Sequence, residues 1–163
     1  MSFRNTPSQI TARDFMTKRL VTLRPEMDVI EAVQRLLKNR ISGAPVVDSD
    51  GKYLGVFSEK CSMQVLLDAA YEQLPSNQVR MFMNTDAQTI DCDTHLLSIA
   101  QVFLLTPYRR LPVLEEGTLV GQISRRDVLR ASMNLLKSSP SQDEGSSLLY
   151  LSALVERSEA PLS

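Results

Sequence analysis

At 163 residues the chain has room for one ordinary domain or two very small ones. Its hydrophobic fraction of 43% and charged fraction of 23% are those of a globular protein, and a net charge of −1 offers no electrostatic footprint for nucleic acid or an anionic membrane. Its apolar runs fall far short of the ~20 residues that span a bilayer, its opening MSFRNTPSQIT lacks an apolar signal core, and Cys61 and Cys92 make no disulfide framework, so a cytoplasmic protein is expected.

In chain order, a short helical lead-in is expected over residues 10–16, followed by an extended stretch at 20–23. Asp28 and Glu31 have the spacing of a capping box, and Val29, Ile30, Val33, Leu36 and Leu37 then recur at helical spacing. Residues 44–47 turn through Asp48-Ser49-Asp50-Gly51 into residues 53–57, which reads as an antiparallel hairpin, and a closing helix follows from Ser58. The order then returns: a lead-in at 78–83, an extended stretch at 88–90, and a helix with Leu96, Leu97, Ala100, Phe103 and Leu104 on one face. A second hairpin turns through Glu115-Glu116-Gly117, and a second closing helix starts from Ser124. Pro45 and Pro112, which have no N–H to donate, are expected at a strand start or edge. Beyond Leu136 the composition becomes polar, so residues 137–147 read as a linker. Residues 148–163 form a tail in which Leu148, Leu151, Leu154 and Val155 share a helical face. That helix either folds back on its own module or a dimer mate, or docks another protein.

The recurrence is residue by residue. Arg13, Phe15, Met16, Thr22, Gln34, Leu37, Pro45 and Val46 return at one constant interval as Arg80, Phe82, Met83, Thr89, Gln101, Leu104, Pro112 and Val113. One residue is lost in the second hairpin turn, after which Gly51, Gly55 and Ser58 return as Gly117, Gly121 and Ser124. The fold class expected is α/β (α+β): two β-α-β-β-α repeats, residues 10–71 and 75–136. A unit of roughly 55 residues buries too little surface to stand alone, so the two are expected to pack about a pseudo-twofold axis that creates two related clefts.

The tandem pattern T-h-x-P…h-P-V-h…G-h-h-S-x-x-D, with h apolar, resembles the cystathionine β-synthase (CBS) domain family over residues 10–136. The resemblance implies a CBS pair: a regulatory, non-catalytic module that takes adenosine-containing ligands in the clefts between its repeats and dimerises through its helices. Ser124-Arg125-Arg126-Asp127 matches the family's ligand signature. A carboxylate can accept hydrogen bonds from the two ribose hydroxyls, while a serine hydroxyl and free helix amides suit a phosphate. Ser-x-x-Asp is equally close to a capping box that forms without a ligand. By the family's geometry the pocket uses Arg109, Arg110, Gln122, Ser124, Arg126 and Asp127 from the second repeat. From the first it uses Thr17, Val21, Ser42, Gly43 and Ala44, whose small members let a purine approach the backbone. Arg110 is the candidate for phosphate; alternatively, Arg109 and Arg110 form a solvated helix end.

The first repeat departs from the signature at Ser58-Glu59-Lys60-Cys61, where a thiol replaces the carboxylate. A hydrogen bond to a charged group is worth about 1.5–3 kcal/mol, so asymmetric occupancy is expected, the Asp127 cleft first. Cys61 reads as a small buried residue or as a redox-active thiol at a helix N-terminus. His95 has no Cys or carboxylate cluster at ligand spacing, so no metal is expected, and the scattered methionines read as filler. No nucleophile–base pair or Gly-rich phosphate loop points to an enzyme, and no cofactor is required. Two functions remain. One is a sensor of AMP, ADP or ATP that signals to a separate effector protein and homodimerises. The other is a homodimeric scaffold that binds no physiological nucleotide.

Overall fold

The computed structural model describes residues 9–71 and 77–138. The elements are α1 (Ala12–Phe15), α2 (Val29–Asn39), β1 (Gly43–Val47), β2 (Tyr53–Ser58), α3 (Glu59–Tyr71), a 3-10 turn (Val79–Met81), β3 (Ile90–Asp91), α4 (Leu96–Leu105), β4 (Arg110–Glu115), β5 (Thr118–Ser124) and α5 (Arg125–Ser138). The α+β fold class stands, and both hairpins and both closing helices lie where the sequence puts them. The linker beyond Ser138 and the tail helix lie outside the described residues.

Local chemistry accounts for the element ends. The Asp28 carboxylate accepts from the backbone N–H of Ile30 at 2.8 Å and of Glu31 at 3.4 Å, capping α2. The Glu31 side chain pairs forward with Arg35 at 3.1 Å. Asp48 Oδ1 accepts from the N–H groups of Asp50 and Lys52, both at 2.9 Å, and holds the first hairpin turn. In the second turn Glu116 (φ 48°) and Gly117 (φ 82°) supply the two left-handed residues of a tight hairpin.

Strands β1 and β2 pair antiparallel with Gly43 opposite Ser58 and Pro45 opposite Val56, and a separate sheet has the order β3-β4-β5. Pro45 lies within β1, an edge strand of its two-stranded sheet, as expected, whereas Pro112 sits inside the central strand β4, neither at a strand start nor at an edge. The physical reason appears on the flank of β1 away from β2. Leu23 donates to Pro45 O and accepts from Val47 N–H, both at 2.9 Å. The nitrogen of Pro45 faces that same flank and has no hydrogen to offer, so pairing starts at Leu23 and residues 20–22 form no strand. Ile90, the repeat equivalent of Leu23, likewise opens β3. The prolines set where the outer partner begins.

The chain divides into two units. The first-repeat unit holds Lys18–Thr89 and Leu114–Val120; the second-repeat unit holds the residues up to Thr17, Ile90–Val113, and the chain from Gly121 on. The lead-ins are thus exchanged. In the first-repeat unit, Val79 is fully buried in a core with Leu23, Val29, Leu36, Val46, Phe57 and Val65, and Phe82 and Met83 pack against it. Backbone bonds run from Val79 N–H to Met27 O at 2.9 Å and from Arg80 N–H to Pro25 O at 3.0 Å. In the second-repeat unit, α1 packs against α5, and Ala12 and Arg13 donate to Thr94 O at 2.9 Å and Cys92 O at 3.0 Å.

Two equivalent glycines receive these lead-ins. Val56 and Asn84 exchange backbone bonds of 2.9 and 2.8 Å, and a Cβ on Gly55 would stand 2.6 Å from Asn84 O. Thr17 and Gln122 exchange bonds of 2.9 and 3.0 Å, and a Cβ on Gly121 would meet Met16 Sδ at 2.5 Å.

Candidate functional site

The second-repeat unit gathers seven of the expected site residues: Thr17, Arg109, Arg110, Gln122, Ser124, Arg126 and Asp127. Strand β5 delivers Gln122 and Ser124, and α5 begins at once with Arg125. The backbone bridge to Thr17 fixes the strand on which Gln122 lies. Arg110 opens β4, and Arg109, Arg110 and Arg126 are exposed, which leaves three guanidinium groups free to meet an anion in solvent.

Ser124 and Asp127 form a closed capping box. Asp127 Oδ2 accepts from Ser124 N–H and from Ser124 Oγ, both at 2.8 Å, and Ser124 Oγ accepts from Asp127 N–H at 3.2 Å. Two donors fill the lone pairs of Oδ2. The serine proton is also committed, so Ser124 meets another molecule as an acceptor while the box is closed. Oδ1 is the oxygen left to accept an outside donor. Arg130, which the sequence reading missed, stands 3.6 Å from it. That position, one helical turn after Asp127, was open to notice, because i,i+3 pairs face one another.

The cap itself has a cost on removal. Asp127→Ala leaves two donors at the start of α5 without their acceptor, and we expect a loss of about 1–2 kcal/mol in chemical denaturation with no ligand added.

The remaining expected residues, Val21, Ser42, Gly43 and Ala44, belong to the first-repeat unit. Val21 precedes the Leu23 bridge and is half-buried, Ser42 is exposed, Gly43 pairs with Ser58, and Ala44 is buried. Ser42 O accepts from Glu59 N–H at 2.9 Å, which ties the entry of β1 to the start of α3.

The first-repeat equivalent of the capping box is weaker. Cys61 N–H donates to Ser58 Oγ at 3.3 Å, Ser58 Oγ contacts Cys61 Sγ at 3.3 Å, and the thiol approaches Val56 O at 3.8 Å. Cys61 thus stands at the repeat position that Asp127 holds on α5. Elsewhere, Asp91, Cys92 and Asp93 bring their ligand atoms within 4.8 Å of one another. The guanidinium of Arg13 already serves that group as its cation, at 2.8 Å from Cys92 Sγ and 3.4 Å from Asp93 Oδ1. His95 is exposed and contributes a backbone bridge to Thr11. Among the described residues no helix is long and apolar enough to cross a membrane.

Comparison with known proteins adds four findings. The model of the CBS domain family matches residues 12–60 and 79–134. The chain is 31% identical to the CBS domain-containing protein CBSX1, chloroplastic, of Arabidopsis thaliana, over 78% of this chain and 66% of that protein. It is 27% identical to the A-adding tRNA nucleotidyltransferase of Aquifex aeolicus, over 76% of this chain and 14% of that protein. The chain thus spans less than two thirds of the length of these curated relatives. Among solved structures, CBSX2 in complex with AMP superposes with a TM-score of 0.68 at 29% identity, covering 77% of this chain and 98% of that one.

Proposed function

Because this chain belongs to the CBS domain family, we propose that it is a regulatory module, not a catalyst, that binds an adenosine-containing ligand at Asp127. The ligand is of the AMP, ADP or ATP type. Ribose donates to Asp127 Oδ1, phosphate meets Arg110 with Arg109 and Arg126, and Thr17 and Gln122 line the sugar side. The observation that carries this reading is the half-used carboxylate: one oxygen is saturated by the cap, and the other keeps acceptor capacity beside exposed arginines. The AMP complex of CBSX2 supports the ligand class. A ligand bound at Asp127 favours the state of the module that binds it better, and a cytoplasmic homodimer passes that change to a separate effector protein.

Thermal unfolding with AMP, ADP, ATP and adenosine tests the reading. A nucleotide present at a hundredfold its Kd adds about 2.7 kcal/mol of stability. We expect that gain in the wild type and in Cys61→Ala, and none in Asp127→Ala. A panel without any shift, or a shift that survives Asp127→Ala, overturns it. A second reading has its own observation: Ser124 and Asp127 satisfy each other within the chain, as a scaffold that binds no nucleotide also requires. Absence of any shift favours that scaffold.

A further inference from the structure

We propose that residues 148–155 fold back as a helix onto the outer side of α4 in the same chain, antiparallel to it. The contact does not depend on a ligand at Asp127.

The repeat supplies an internal comparison between α2 and α4. Their inward faces correspond residue for residue: Val29, Ala32 and Leu36 are buried on α2, and Leu96, Ile99 and Phe103 on α4. Their outer sides differ. Helix α2 carries Glu31, Arg35 and Lys38, and Glu31 and Arg35 pair at 3.1 Å. The same three positions on α4 hold Ser98, Val102 and Leu105, so α4 has no charged residue at all. Leu104 and Leu105 are nevertheless 84% and 81% exposed. The equivalent of Leu104 on α2, Leu37, is exposed too, but among charges that suit it to water. A helix stripped of charge on its outer side is one that another element covers.

The tail suits that side in reach, composition and spacing. Helix α5 packs against α4 and ends at Ser138, so the chain leaves the described residues from a neighbour of α4. Residues 139–147 can extend roughly 30 Å, about twice the 15 Å of a helix as long as α4. Residues 148–155, LLYLSALV, contain no charge, like residues 98–105, SIAQVFLL. Laid antiparallel, Leu148 meets Leu105, Leu151 meets Val102 and Val155 meets Ser98, with a step of three and then of four on both helices. Laid parallel, a step of three on one helix falls against a step of four on the other. The antiparallel sense also opposes the two helix dipoles. It carries Asp143 and Glu144, just ahead of the segment, toward Arg109 and Arg110, just beyond α4. A short tether holds the segment at an effective concentration on the order of millimolar, so even a small apolar contact forms within one chain.

Chymotrypsin cleavage after Tyr150 in the full chain tests the contact, each rate being referred to that of a free peptide of the same tail sequence. We expect slow cleavage in the wild type at every protein concentration. Ser98→Glu/Val102→Arg/Leu105→Lys gives α4 the charges of α2 and speeds cleavage at least roughly tenfold, because charges then face an apolar segment. Leu148→Asp/Val155→Asp does the same from the tail side, and Leu37→Glu on α2 changes nothing. Circular dichroism confirms folding; if the triple variant fails to fold, Leu105→Lys alone carries the comparison. In a Cys61→Ser background, Leu105→Cys/Leu148→Cys closes a disulfide within one chain under mild oxidation, and Ser98→Cys/Leu148→Cys does not. Wild-type cleavage as fast as that of the peptide overturns the contact. Cleavage sped by the tail change but not by the α4 changes overturns α4 as its seat. Protection lost on dilution, or a disulfide between two chains, places the segment on a second copy and overturns docking within one chain. A disulfide at Ser98→Cys/Leu148→Cys in place of Leu105→Cys/Leu148→Cys overturns the antiparallel sense.

Discussion

Replacing Gly55 by alanine lowers the stability of this protein by about 3 kcal/mol, whereas the same change at its repeat equivalent, Gly121, costs about 1 kcal/mol. At Gly55 the new methyl would stand 2.6 Å from the carbonyl oxygen of Asn84 and 3.2 Å from its carbonyl carbon. Both atoms are backbone, and that backbone is held by two hydrogen bonds to Val56. The strand pair must separate, which sacrifices both bonds and loosens Phe82 and Met83 from the core. At Gly121 the atoms in the way are Sδ, Cγ and Cβ of Met16. Methionine has three rotatable bonds and gives way at small cost. Urea denaturation of the two variants side by side measures the difference. Equal losses would show that the clash at Gly55 is relieved by some movement other than opening the Val56–Asn84 pair.

Val79→Ala is expected to lower stability by about 2 kcal/mol, because it removes two methyl groups from a fully buried position and leaves a cavity. The effect has a direction. Val79 opens the second stretch matched by the family model, yet its neighbours are the core residues of the first repeat. Amide hydrogen exchange should therefore speed up in α2, β1 and β2, while α4 and α5 keep their protection. Preferential loss in α4 and α5 would overturn the assignment of this lead-in to the first-repeat unit.

That exchange of lead-ins was not legible in the sequence, and the repeat explains why. Met16 and Met83 are the same residue, Phe15 and Phe82 likewise, and each precedes an identical framework. Either lead-in satisfies the periodicity of either repeat, so local pattern cannot choose between them. The hairpins were legible because their turns are decided locally: the Asp48 carboxylate holds Asp50 and Lys52, and Gly117 takes the left-handed conformation its turn demands. The helices were legible because Asp28 caps and the apolar spacing agree. Pro112 was misread, since the strand rule concerns the flank a nitrogen faces, and only the sheet order reveals that its strand is central. At Asp127 the sequence left a cap and a ligand carboxylate as alternatives. The structure shows the cap on Oδ2 and Arg130 beside Oδ1, a division between two oxygens that no sequence pattern carries; the ligand role of Oδ1 is the proposal made above.

The exchanged lead-ins also set an order of events on the ribosome. The segment holding Ala12 and Arg13 emerges before either hairpin, but these residues donate to Thr94 and Cys92, and α1 packs on α5, the last described helix. That segment is thus made well before the neighbours it pairs with. The core around Phe57 cannot close until Val79 and Met83 have cleared the exit tunnel, which places the second repeat's opening under the first repeat's timetable. A pause in translation while residues 79–83 are still inside the tunnel would hold an open core in the cell, whereas a pause after they have emerged would find that core able to close.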